Sequence, residues 1–347
     1  MHVIANPHRG EAKLIPDAPF PSTAASRVAT LLEQCPKAAP TPLVDASALA
    51  DFSALWVKDE RSRMGLGSFK ALGAAYVIAR EAADASPAPG ATTLIGRTYV
   101  TASAGNHGLS VAAGARVFGA KAVVYIAETV PESFATRLRE TGADVVREGA
   151  DYAAAMRAAH ATAVTEGWTL LSDSSWPDYT ELPFILMEGY LQMAAEAVAQ
   201  CVDVPTHIFL QAGVGGLAGA VAAYARQAWG DAPQIIVVEP EAAPALQASV
   251  IAGACVFADG PDSVMGRLDC KEPSLIALNG LARDADHFLT LSDDEVTALL
   301  PAIADAGLAT TASGGAGVAA SLRKDVGKAL RIGPDARVLC FLSEVPD

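Results

Sequence analysis

From Thr98 onward the chain alternates short apolar runs with longer segments of helical period, and that alternation leaves few folds open. TYVTAS, AVVYIAE, ADVVRE and TLLSDSS read as strands; GNHGLSVAAGARVFG, PESFATRLRETG and ADYAAAMRAAHATAVTEG read as the helices between them. Proline opens the second helix and glycine closes it, the usual punctuation of a helix. Strands without polar alternation are buried on both faces, and a helix after each supplies the crossover that a parallel pair needs. The pattern resumes with THIFLQAG, a helix from Gly216, QIIVVEPE and the terminal RVLCFLSE. An α/β protein with two layer systems and a cleft between them is expected. ASPAPGATT (Ala85 to Thr93) marks a crossing between the layers. The expected division is a large unit of residues 1–82 and 181–347 with a small α/β unit, 83–180, inserted in it.

Composition narrows the partners. A net charge of −14 lacks the basic footprint that nucleic acid or an anionic membrane surface requires. Cys35, Cys201, Cys255, Cys270 and Cys340 are scattered and form no CxxC pair, so neither a disulfide framework nor a metal site is expected. The N-terminal MHVIANPHRGEAKLIPDAP has no apolar core of a leader peptide, and a cytoplasmic location is expected. Ile208 to Ala225 runs 18 residues without a charge, long enough for a membrane span. Its glycine-rich turn favours a buried strand entering a buried helix.

Three segments carry chemistry. GLGSFKALGAAY places Lys70 among small and apolar residues, with Glu60 and Glu81 as the nearest acids on either side. That setting suits an amine kept in a shielded site; the plain alternative is a surface lysine. QAGVGGLAG (Gln211 to Gly219) follows a strand and opens a helix, so its amides and the helix dipole offer a phosphate site. Gly213, Gly215 and Ala218 also fit a dinucleotide fingerprint, with Glu239 about 20 residues on in the ribose-binding position, which keeps an NAD-dependent oxidoreductase open. TASAGNHG (Thr101 to Gly108) turns from strand to helix and puts Asn106 and His107 at a strand's C-terminal edge. Asn106 as a helix cap and His107 as a packed histidine are the bland alternatives.

The order SFKALG, SAGNHG, QAGVGG and a closing LSE resembles the fold-type II pyridoxal-phosphate enzymes, a group that includes threonine and serine dehydratases and serine racemase. The resemblance runs from TPL (Thr41 to Leu43) almost to the last residue. It implies two open, twisted, mainly parallel sheets flanked by helices, as in the tryptophan synthase β-like fold. RMGLGSFKALGAAY, SDSSWPDYTELP (Ser172 to Pro183) and THIFLQAGVGGLAG most resemble diaminopropionate ammonia-lyase within the group.

Roles follow from the resemblance. Lys70 would link covalently to pyridoxal 5'-phosphate, its pKa lowered by desolvation, and would later act as a base. Gly213, Val214, Gly215, Gly216 and Leu217 would cradle the phosphate, and Asn106 would bond the ring hydroxyl. Ser343 would face the pyridine nitrogen; a neutral hydroxyl makes the ring a weaker electron sink than a carboxylate partner would, which favours β-elimination over transamination. Asp173 would move a proton or bind a second substrate amine, although an aspartate in SDSSW is equally a turn cap. Ser103, Ala104, Gly105, His107 and Tyr179 would line the substrate, with Trp176 and Thr180 shaping the pocket.

Two departures from the family stand out. The position before Gly105 holds an acid in the ammonia-lyases and a serine in serine racemase, whereas Ala104 carries no proton, so chemistry on one face by Lys70 is expected. ASGGAG (Ala312 to Gly317) lacks the acidic residue usual beside these glycines, with Gly315 in its place. The resulting expectation is a pyridoxal-phosphate-dependent lyase acting on a small L-amino acid with a β leaving group, such as 2,3-diaminopropionate, and releasing a 2-keto acid and ammonia. A threonine or serine dehydratase is the near alternative and a non-catalytic binding protein the distant one. A homodimer is implied by the family.

Overall fold

The computed structural model describes residues 1–11 and 13–346. Among them are the strands β1 His2–Ala5, β2 Leu43–Asp45, β3 Ala54–Asp59, β4 Thr98–Ala102, β5 Lys121–Ile126, β6 Asp144–Arg147, β7 Thr169–Leu170, β8 His207–Gln211, β9 Gln234–Pro240, β10 His287–Leu291 and β11 Arg337–Leu342. They form a seven-stranded sheet, β1-β10-β9-β8-β11-β3-β2, and a four-stranded sheet, β6-β5-β4-β7. The smaller sheet is parallel throughout; the larger is parallel except at its edges, where β1 and β2 run antiparallel.

Burial explains the strand composition. Every residue of β8 is buried, as is β9 from Ile235 on, because helices cover both faces of the sheet. The uncharged stretch from Ile208 divides into β8 and the helix Gly216–Trp229. No single helix among the described residues is long and apolar enough to cross a membrane.

Both sheets are wound so that the chain reverses direction beside a central strand. β8 leads to β9 and β10 on one side, while β11 returns on the other; β4 leads to β5 and β6, while β7 lies on its other flank. Such switch points open a crevice at the C-terminal ends of parallel strands. Lys70 follows β3, the SAGNHG turn follows β4, Asp173 follows β7, the glycine turn follows β8, and Ser343 follows β11.

The two sheets share a core. Tyr99 and Val124 of the small sheet belong to the same apolar cluster as Leu210 and Val237 of the large one. The helix Gly73–Ala85 crosses Asn106–Phe118 so closely that a Cβ at Gly114 would lie 3.0 Å from the Ala75 Cα.

A buried ion cluster anchors the chain between β3 and Lys70. Lys58 Nζ lies 2.7 Å from Glu196, and Arg63 bridges Glu60 and Glu196 at 2.7 Å each, with Thr41 completing the bonds. Burial lowers the Lys58 pKa despite Glu196, whereas Glu196 is held down at about 2: burial opposes its ionisation, but Arg63 and Lys58 outweigh it.

Two differences from expectation have local causes. TLLSDSS was expected to be a strand throughout, but pairing ends at Leu170. Leu171 N makes one more bond to Val100 O, and the chain then curls into a turn closed by Trp176 and Tyr179. β1 and β10, absent from the sequence reading, form because residues far apart in the chain supply each other's edge.

Candidate active site

Lys70 is set by its flanking backbone. The Ser68 hydroxyl accepts from Lys70 N at 3.1 Å, Phe69 N donates to Ser343 O at 3.0 Å, and Val345 N donates to Gly67 O at 2.9 Å. The chain end thus pairs with the turn that carries the lysine. Its ammonium donates to Asp173, and the side chains are 22% and 18% exposed respectively. The Phe69 and Tyr190 ring centroids lie 5.3 and 5.9 Å from Nζ.

This corrects the expected lowered pKa. Burial does push the Lys70 ammonium toward neutrality, but the contacting Asp173 carboxylate outweighs it and holds the pKa above the ordinary lysine value. Asp173 is held below the ordinary carboxylate range, with burial opposing and Lys70 prevailing. The partner stands 103 positions away in sequence, beyond the reach of a local reading.

Asp173 sits on a braced turn. The Tyr179 hydroxyl accepts from Ser172 N at 3.0 Å and donates to Leu170 O at 2.8 Å, and its ring stacks on Trp176 at 4.3 Å. Tyr179 was expected to line the substrate; its hydroxyl is instead committed to this turn. Ser175 bonds Ser274 at 2.7 Å and ties the turn to the start of the helix Leu275–Asp284. His107 is buried, with Nε2 2.8 Å from Leu171 O and Nδ1 unpartnered among the described residues. Burial lowers its pKa, so it stands as a neutral ring beside Lys70 and Asp173.

The glycine turn has the shape of an anion cradle. Gly215, at φ +96, caps the 14-residue helix Gly216–Trp229; a Cβ there would lie 2.9 Å from Ala277 Cβ, and one at Gly213 2.9 Å from Cys270 Sγ. Side chains are therefore excluded on steric as well as conformational grounds. Among the described residues nothing accepts from the amides of Gly215, Gly216 and Leu217, which leaves donors at the positive end of a helix dipole. Glu239 does not occupy a ribose-binding position: its two oxygens accept from Leu246 N and Gln247 N at 2.7 and 2.8 Å. Burial raises its pKa to about 8 against the pull of those amides.

At the opposite rim, the Ser103 hydroxyl accepts from Gly105 N and Gly108 N at 3.2 and 3.1 Å and so closes the helix start. Asn106 is free of that capping task and donates to Glu344 at 2.6 Å. Ala104 is exposed and Gly105 half-buried. Ser343 is buried, and its hydroxyl makes no hydrogen bond among the described residues.

The structure adds residues that the sequence reading missed. The Tyr190 phenol is buried without a partner among the described residues, close to Lys70, and burial raises its pKa to about 12. Tyr152 is half-exposed; burial first and Asp173 next raise its pKa. Cys270 borders Gly213, its pKa raised to about 12 by burial and then by Asp173. No local motif announces any of the three.

An amine, an amide cradle, a lone hydroxyl and the Asn106 side chain, held by Glu344 with one N–H to spare, at the C-terminal edges of two sheets fit pyridoxal phosphate. The family model for pyridoxal-phosphate dependent enzymes matches residues 35–344, and the chain belongs to that family. Within it, the diaminopropionate ammonia-lyase of Salmonella typhimurium is 35% identical over 286 residues, 75% of this chain and 70% of that one. The Escherichia coli enzyme of the same name is 33% identical over 273 residues, 73% and 68% of the two chains. A crystal structure of Escherichia coli diaminopropionate ammonia lyase in complex with an aminoacrylate-PLP azomethine reaction intermediate superposes with a TM-score of 0.86 at 28% identity, covering 99% of this chain and 93% of that one. A threonine deaminase from Solanum lycopersicum, 21% identical with a TM-score of 0.80 and covering 98% and 94%, shares the fold.

Proposed function

We propose that this chain is a pyridoxal-phosphate-dependent ammonia-lyase that eliminates the β-substituent of a small L-amino acid, with 2,3-diaminopropionate as first substrate and a 2-keto acid and ammonia as products. The observation that carries the reading is the part-buried Lys70–Asp173 pair between the glycine cradle and the Asn106 turn. Lys70 would hold the cofactor aldehyde, and its amine is the group placed to take a proton from the substrate Cα. The cofactor supplies the electron sink for the pair left on Cα.

The remaining roles belong to the chain's own groups. The amides of Gly213 to Leu217 would hold the phosphate, Asn106 would donate toward the ring hydroxyl, and Ser343 would offer a neutral hydroxyl toward the ring nitrogen. Once Lys70 is committed to the cofactor, Asp173 loses its ammonium partner. A part-buried carboxylate without a cation is costly, and the second ammonium of a diamino acid restores the balance. A serine or threonine hydroxyl does not, which places dehydration second. Ala104 has no proton to give, so proton transfer stays with Lys70 and Asp173, on one face of the site.

The same reading takes residues 83–180 as an inserted unit within 1–82 and 181–347. Five unpaired thiols suit a reducing cytoplasm, and a homodimer follows from the family likeness. The test is 2-keto acid release across a panel of L- and D-amino acids bearing amino, hydroxyl or chloro groups at Cβ. Preference for L-2,3-diaminopropionate is expected; turnover of serine or threonine alone would replace the reading with a dehydratase.

A further inference from the structure

Glu344 lies one residue beyond Ser343 and is 4% exposed. Its backbone bridges to Ser68, beside the lysine turn, and its carbonyl accepts from the Thr310 hydroxyl at 2.6 Å. Its carboxylate gathers donors from three further segments: Asn106 Nδ2 at 2.6 Å, the Thr311 hydroxyl, and Arg267 Nη1 at 3.1 Å. Gly314 makes the room, since a Cβ there would lie 2.9 Å from Glu344 Cγ and 2.2 Å from the Thr310 hydroxyl. The acid that the run ASGGAG lacks is therefore supplied to the same ground from the end of β11.

We infer that Glu344 is a positioning residue that fixes the orientation of the Asn106 amide across the cleft; the inference rests on the reading that Asn106 meets the ring hydroxyl of the cofactor. An ionised carboxylate only accepts hydrogen bonds, so the NH2 end of Asn106, not its carbonyl, must face it. Arg267 pairs with the carboxylate at 3.1 Å from the other side. Asn106 then keeps one N–H and its carbonyl uncommitted among the described residues, in a fixed order around the amide. Without the carboxylate the amide can turn over and present oxygen where a donor stood. Asn106 belongs to the small unit and Glu344 to the large one, so the same bond also sets their spacing at the site.

The test titrates Glu344→Gln, Asn106→Ala and the double variant with pyridoxal phosphate, reading Kd, the visible absorbance maximum and its pH dependence, alongside the apoprotein thermal midpoint. Glu344→Gln is expected to weaken cofactor binding on the order of tenfold, the size of one lost hydrogen bond to a charged group. It should shift the visible band in the same direction as Asn106→Ala, and the double variant should be no worse than Asn106→Ala alone. A lowered thermal midpoint with unchanged band and Kd would mean that Glu344 only braces the fold, and would overturn the inference. If Asn106→Ala itself leaves band and Kd unchanged, the underlying reading of Asn106 fails, a distinguishable result. Should Glu344→Gln not fold alone, Asn106→Asp supplies the second arm. It sets two carboxylates together and should lower the apoprotein midpoint, and adding Glu344→Gln should restore it by reversing donor and acceptor; no recovery would overturn the inference.

Discussion

Replacing Asp173 with asparagine keeps the shape of the side chain and removes its charge, which separates recognition of a second ammonium from proton transfer. Asp173 and Lys70 are in contact and both about one-fifth exposed, at 18% and 22%. Two unit charges about 4 Å apart attract by roughly 4 kcal/mol at an effective dielectric constant near 20. In the proposed reading the ammonium of a diamino acid takes over this role. Removing one partner of a buried, hydrogen-bonded charge pair costs about 2–5 kcal/mol, whereas a serine hydroxyl forfeits one ordinary hydrogen bond, about 1 kcal/mol. The ratio of kcat/KM for diaminopropionate over serine should therefore fall on the order of 100-fold in Asp173→Asn. Steady-state 2-keto acid release on both substrates measures it. Equal losses would assign Asp173 to proton transfer alone and remove the electrostatic argument for a diamino substrate.

Two further outcomes follow from the structure. Glu196→Gln leaves Lys58 and Arg63 sharing a single buried carboxylate, Glu60, and should cost about 3–5 kcal/mol in a urea titration at neutral pH. The Glu196 pKa lies at about 2, below its ordinary 4.5, so its stabilisation is present above 4.5 and is lost as pH falls toward 2. The gap between wild type and variant should narrow over that window, and parallel curves would contradict the assignment. Ala104→Asp supplies a proton carrier next to Gly105 and should confer measurable turnover of the D-isomer in the same assay; no gain would mean that other pocket walls fix the handedness.

The parts legible in sequence are those decided locally. Gly215 and the run after β8 announce a helix start because the constraint lies within a few residues, and the helix ends at Gly119, Gly142 and Gly167 take the left-handed conformation that glycine at those places suggests. Lys70, Asn106 and Ser343 were found through short motifs, and the fold brings all three to one cleft. What escaped was decided at long range. The Lys70–Asp173 pair spans 103 positions and the Asn106–Glu344 bond 238, and the first of these reverses the sign of the lysine's expected pKa shift. β1 likewise depends on β10. Two local bonds also escaped: Tyr179 is drawn into bracing its own turn, and Glu239 reads as a ribose ligand until the helix it caps is seen.

The most direct test is chemical. Purified holoprotein should absorb in the visible, and borohydride should bleach that band and leave a phosphopyridoxyl group on the peptide containing Lys70, identified by mass spectrometry. Lys70→Ala should retain weak cofactor binding through the Gly213 to Leu217 amides, with no label and no turnover. A label on any other lysine, or steady-state turnover in Lys70→Ala, would contradict the account at its centre.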